Sequence, residues 1–306
     1  WSTGSGDKGW GQTTFTAVAA GGTVTATQWA TLVNNLSTAG SQTSTTLTSR
    51  TAPTVGATIS ILANVSADIT SVTTNRGNAA AIGSAVGTFT GSVAKTTATG
   101  SGQAAWTITW TQTVTFGSAD QARYFWNAGG TVRLAMGKSS TGTDTDPDWN
   151  GFAGKVGTLF ITGRVNGANQ QISGATYSGF TRSGGSDVGV TINTNATTTG
   201  WYTLVSGAAA TTLFKMTNSA PYAGEYIQVT GAVNAGRTVL TLVTTWVSDG
   251  SSGAGTTANI SGGTDTTSPA TSIAGTAPTV LCNYYPPSTT YLTASWGTPT
   301  IASSVA

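Results

Sequence analysis

Histidine is absent from these 306 residues. That removes the commonest general base, the Ser-His-Asp arrangement and imidazole metal ligands. Glutamate occurs once, at Glu225. A glycosidase-type depolymerase needs two carboxylates across a sugar, which leaves it a distant aspartate pair such as Asp187 with Asp249. Isolated aspartates in glycine-rich surroundings read first as turn and cap residues. Cysteine also occurs once, so no internal disulfide framework exists, and Cys282 reads as a buried free thiol rather than a reactive one. Charge is scarce, at 7% of residues against roughly 25% in an ordinary soluble chain. Twelve basic and ten acidic side chains leave a net charge of +2 and no basic patch, which argues against binding nucleic acid through its phosphates. No apolar run approaches the length of a membrane span, and neither GxxxxGK[ST] nor a strand-to-helix GxGxxG with an acidic partner occurs. Trp1 opens the chain without a methionine or a charged-then-apolar leader, which processing or partial coverage would equally produce.

Threonine fills the space that charge leaves, outnumbering even the 41 glycines. Hydroxyls and amides thus carry solubility, and threonine with valine, isoleucine and aromatics is β-sheet composition. Ten tryptophans at patterned positions argue against a low-complexity chain. The pattern is clearest from Trp106 to Met136. Trp106, Ile108, Trp110, Gln112, Val114 and Phe116 alternate with five threonines, Thr107 to Thr115. That is a strand with one aromatic, core-facing side and one hydroxylated, wet side. Ser118 and Gln121 form a capping-box pattern, and Ala122, Phe125 and Trp126 form the apolar face of a short helix. Gly129-Gly130 suits the left-handed turn that ends it. Val132, Leu134 and Met136 alternate as the next strand.

Before this block, the first dozen residues read as flexible until Trp10 and Phe15. Thr25 and Gln28 form another capping box, followed by Trp29, Leu32, Val33 and Leu36 on one helical face that stops near Gly40. Residues 41–51 read as a polar linker. A second stripe, Ile59, Leu62, Val65 or Ser66, Ile69 and Val72, predicts a helix ending near Asn75. Such short one-sided helices must pack on each other, on the body or on copies in an assembly. The small polar stretch from Asn78 to Gly102 places a boundary there. The resulting division is an N-terminal docking segment with a short helix over 1–50, a helical and linker region over 51–102, and a mainly-β body over 103–306. A split of that body near residue 165 is left open.

After the central block, Asp146-Pro147 reads as an N-cap and first helical residue, with Trp149, Phe152, Ala153 and Val156 on one face. Thr158 to Ile161 returns to strand. Short strands follow at Val188–Ile192, Tyr202–Leu204 and Ile227–Val229. The run Thr238–Val247 is apolar on both faces, as in a strand covered on both. Strands at this spacing predict a β-sandwich-like body with a few short helices.

Asp144, Asp146, Asp148 and Asn150 alternate oxygen-bearing side chains, as the first half of a calcium loop does. Glycine falls at the eighth position instead of the sixth, and no glutamate closes the loop. Helix capping is therefore the first reading, with Ca2+ as the alternative and no other cofactor implied. Tyr284, Tyr285, Tyr291 and Trp296 cluster near the C-terminus, where packing within the chain, a subunit contact or sugar stacking are open to them. With Trp29, Leu32 and Leu36 of the first helix, they are the candidate interface residues.

The segment ARYFWNAGGTVRLAM at 122–136 resembles a recurring motif of virion structural proteins of marine tailed bacteriophages, cyanophages especially. In those proteins an Ala-Arg-aromatic-aromatic-Asn-x-Gly-Gly turn leads into a strand. Further matches are GWGQT at 9–13, the helix around Gln28-Trp29, and PPSTTYLTASWGTPT at 286–300, in the same order. The resemblance implies a non-enzymatic virion protein of the tail, collar or fibre apparatus, with copies of itself and other virion proteins as partners. A capsid decoration protein, or an adhesin for a host surface glycan, are the alternatives. Neither nucleic acid nor membrane is an expected partner.

Overall fold

The computed structural model describes residues 1–4, 8–80, 92–94, 105–139, 145–163, 170–172, 175–219, 223–249 and 277–306. Helices α1 (Ala26–Gln42) and α2 (Leu62–Thr74) come first, then strands β1 (Ser92–Ala94) and β2 (Ala105–Thr115). Helix α3 (Ala119–Asn127), β3 (Thr131–Gly137), α4 (Thr145–Val156) and β4 (Thr158–Thr162) follow. The remaining strands are β5 (Gln170–Ile172), β6 (Ala175–Tyr177), β7 (Phe180–Ser183), β8 (Val190–Asn195), β9 (Thr211–Asn218), β10 (Tyr226–Val233), β11 (Val239–Asp249), β12 (Thr279–Tyr285) and β13 (Thr300–Val305).

The body is mainly β. A six-stranded sheet in the order β13-β2-β11-β10-β9-β8 faces a five-stranded sheet in the order β1-β12-β3-β4-β7, and both are antiparallel and open. Strands β5 and β6 pair as a separate hairpin. One contiguous core, drawn from the inner faces of both sheets, joins residues on either side of position 165.

The alternation in β2 behaves as its periodicity predicts. Ile108, Trp110, Gln112, Val114 and Phe116 are buried, whereas Thr107 to Thr115 lie on the wetter side. Burial of each large ring stabilises by on the order of 3 kcal/mol. Trp110 packs on Trp246 of β11, and Trp149 of α4 stacks on the same indole with centroids 5.6 Å apart. At α3, Phe125 and Trp126 pack against Phe116, and Trp126 stacks on Trp201. The helix therefore seals the core beside the β2–β3 crossover. Ser118 Oγ accepts from the Gln121 N–H, but the return bond of a capping box is not formed among the described residues. Gly129 takes the positive φ of 103° that ends the helix. Gly130 is small for another reason: a Cβ there would lie 2.5 Å from the Phe125 ring.

Several expectations are corrected. Trp201–Leu204 is a turn that buries Trp201 and Leu204, not a strand. Val188 is exposed in a turn, and the strand starts at Val190. The second face of β11, with Val239, Val243 and Val247, is half-exposed, because its position between β2 and β10 shields it from the sides only. Helix α4 starts at Thr145, which puts Asp146 and Pro147 inside its first turn, where a missing proline N–H is harmless. Helix α1 carries the full Thr25/Gln28 capping box and runs on to Gln42. Helix α2 buries Val65 and Asp68, while Leu62 and Ile69 of the predicted stripe stay exposed.

Candidate functional site

Residues 1–2 and 9–12, expected to be flexible, are tied down. The Trp10 and Gly11 amides donate to the Trp1 and Ser2 carbonyls, and the Trp1 ring meets the Trp10 ring edge-on. Trp10 is buried, and its indole N–H donates to the Asn127 carbonyl at the end of α3. Asn127 Nδ2 donates back to the Gly9 carbonyl at 2.7 Å and Oδ1 accepts from Tyr202. Gln12 reaches the C-terminal loop: Nε2 donates to the Thr293 carbonyl at 2.9 Å and Oε1 accepts from the Thr293 amide at 2.8 Å. Ser295 Oγ donates to the Trp10 carbonyl at 2.6 Å. Gly11, at φ +65°, lies so close that a Cβ would meet the Tyr124 ring at 2.5 Å. Three stretches separated by more than a hundred residues thus form one clamp: GWGQT, ARYFWNAGG and the TASWG part of the tail.

This clamp holds α1 against the body. Gln42 Nε2 at the end of α1 donates to the Ala128 carbonyl. The stretch read as a linker is structured by Arg50, which bonds Asp68 of α2 through two contacts of 2.9 and 3.1 Å, and by Asn75 Nδ2 donating to Thr45 Oγ1. Hydrogen bonding to Asp68 holds the Arg50 guanidinium above its ordinary range. Between the first residues, α1 and α2 lies a groove of 440 Å3, walled by Trp1, Phe15, Leu32, Leu36, Ile69 and Val72 with Lys8 and Arg76 also lining it. Phe15 and Ile69 are exposed at its edge.

Of the candidate interface residues, Leu32 and Leu36 line this groove, Leu36 being buried, and Trp29 is half-buried beside them on α1. The tail rings separate. Tyr284 packs edge-on to Phe125 in the core, and Trp296 is buried in that core too. Tyr285 faces the other side of the five-stranded sheet, on Phe160, and its hydroxyl accepts from Arg133. Only Tyr291, 42% exposed, stays on the surface. These rings were seen in the sequence as one cluster, but β12 turns alternate residues to opposite faces.

Asp144 lies outside the described residues, as do the side chains of Asp146 and Asp148; Asn150 is exposed on α4. Asp187 pairs with Arg182, whose Nε donates to the Val156 carbonyl and Nη2 to the Lys155 carbonyl, closing the C-terminal end of α4. Its partner in the proposed carboxylate pair, Asp249, ends β11, and its side chain lies outside the described residues. Among the described buried polar groups that sequence reasoning missed are Gln12, Gln42, Asp68, Asn127 and Glu225. Glu225 accepts from Asn218 Nδ2 and Ser248 Oγ within the β9–β10–β11 end. No local pattern marks a polar residue whose partner lies in a distant segment. Cys282 is buried and free, as its sequence reading holds. Among the described residues, no group of three metal-ligating acidic or cysteine side chains occurs, and no helix is long and apolar enough to cross a membrane.

Comparison with protein-family models, with curated proteins and with solved structures finds no match.

Proposed function

We propose that this chain is a non-enzymatic structural subunit of a bacteriophage virion, in the tail, collar or fibre apparatus, that assembles with copies of itself and with other virion proteins. The observation that carries this reading is the clamp. Three of the stretches read as resembling phage virion proteins converge into one contact between the N-terminal segment, the end of α3 and the C-terminal loop, and beside it Gln42 ties α1 to Ala128. A shared feature of that kind concerns architecture, and the helices it holds present an apolar groove suited to a neighbouring chain. The aromatic core supplies rigidity, and the charge-poor surface favours contacts made by shape and neutral hydrogen bonds. The glycan-binding alternative needs exposed, coplanar rings, and only Tyr291 of the four tail rings is exposed.

Sedimentation velocity of the purified protein at micromolar concentration tests the reading. A multimer is expected. A monomer at all concentrations up to ~100 μM, weaker than the usual range for specific association, would sink it.

A further inference from the structure

The outer face of the six-stranded sheet has an unusual chemistry. Five threonines of β2, Thr107 to Thr115, lie opposite Val247, Thr245, Val243, Thr241 and Val239 of β11 in strict register. On the flanks, Thr300, Ala302 and Ser304 of β13 extend the same rows on one side, and Tyr226, Gln228, Thr230 and Ala232 of β10 on the other. The one charged side chain among the described residues of this face is Lys215, whose ammonium sits 4.1 Å from the centroid of the Tyr226 ring. The hydroxyls of Thr109, Thr111, Thr113, Thr115, Thr241 and Thr245 find no hydrogen-bond partner among the described residues, and their side chains stand half to fully exposed. An ordinary wet sheet face carries alternating charges that discourage pairing with another sheet. This one does not.

We infer that this threonine–valine face is the contact through which two copies of the chain pack back to back. The inference rests on the homo-oligomer reading above and names its surface. Charge supports a second copy as the occupant. A two-fold contact sets a patch against itself, so any patch of one sign repels its own image; a neutral hydroxyl and methyl face does not. Area supports it too. Strands of six, eleven, eleven, eight, eight and six residues make up the sheet. At about 3.4 Å per residue and about 4.8 Å between strands, they cover about 800 Å2, close to what each partner brings to a stable interface. Threonine and valine are stiff at χ1, so ordering them in a contact loses little side-chain entropy. The ridge of Val239, Val243 and Val247 supplies an apolar centre, and the flanking hydroxyls donate or accept across the interface.

Equilibrium sedimentation of the wild type, Val243→Glu and Leu32→Glu tests this. A carboxylate buried against its own image without a counter-charge weakens the wild-type self-association by about 100-fold or more in Val243→Glu. Leu32→Glu, in the groove on α1, leaves that association intact. An unchanged mass for Val243→Glu, with a wild-type circular dichroism spectrum, overturns the face as the contact while leaving the oligomer reading standing. A monomeric wild type fails that reading itself. Should Val243→Glu not fold, Thr111→Cys serves instead, because Cys282 is buried and gives no background labelling. The introduced thiol should be protected from a maleimide dye at micromolar protein and become reactive on dilution. Equal reactivity at both concentrations, including any arising from a glycan or another protein being the natural occupant, counts against the proposal.

Discussion

At the scale of the residue, one inward strand position of the described core holds a misfit. Gln112 occupies an inward position of β2, opposite Leu242 and Ser303, is fully buried, and neither atom of its amide finds a partner among the described residues. An unsatisfied buried amide costs about 1–3 kcal/mol. Gln112→Met keeps the length of the side chain and removes the amide, so it should raise the unfolding temperature by about 2–5 °C in a thermal scan; a lower temperature would show that the amide is satisfied. Cys282 is the other test at this scale. Burial pushes its thiol from an ordinary value of 9.0 up to about 12. Folding therefore favours the protonated thiol, and that contribution is complete below pH 9.0 and lost as pH rises from there towards 12. Urea melts should show wild type losing about 1 kcal/mol more per pH unit above that point than Cys282→Ala does. Equal slopes would mean that the thiol ionises while folded. The periodicity of β2 revealed that position 112 faces inward but not that its amide goes unpaired, because pairing depends on β11 and β13.

At the scale of the element, local signals were the most legible. The Thr25/Gln28 box, the alternation of β2 and the apolar face of α3 all depend on residues within four positions of one another, and all three elements form. Where a second segment decides, the pattern misled. The apolar stripe of α2 ran through Ile59, Leu62, Val65 or Ser66, Ile69 and Val72, yet of these only Val65 is buried, and Asp68, bonded to Arg50, lies inward with it. The buried polar residue overrides the apolar ones because two hydrogen bonds from a fixed guanidinium are directional, whereas apolar contact is not. The clamp is likewise a matter of distant segments. Trp10→Ala removes the ring and its bond to Asn127, at a cost of about 3–5 kcal/mol to the docking of the N-terminal segment. Hydrogen exchange should show α1 amides losing protection by at least about ten-fold while β10 and β11 keep theirs. Unaltered protection in α1 would mean that something else holds the helices to the body.

At the scale of the whole molecule, low charge has a consequence for assembly. Contacts between neutral hydroxyl and apolar faces are little affected by ionic strength, since there are few charges to screen. The mass seen in sedimentation should accordingly be the same at about 50 mM and about 1 M salt, a span over which the Debye length falls several-fold. A multimer that dissociates at high salt would point to Lys8, Arg76 or another ionic contact at the groove instead of the sheet face. By itself, the sequence determined the β-rich class, the inward and outward sides of β2, the positions of α1, α3 and α4, the fate of the single thiol and the poverty of catalytic groups. Each follows from composition or from the period of 2 or 3.6 residues that a strand or helix imposes on its neighbours in the chain. Only the tertiary structure decided that β2 lies between β11 and β13, that Tyr284 and Tyr285 part to opposite faces, and that residues 9–13, 122–130 and 293–297 meet in one clamp. Those outcomes depend on which distant segments pair, and a backbone hydrogen-bond ladder looks alike in sequence whichever strand supplies the other half.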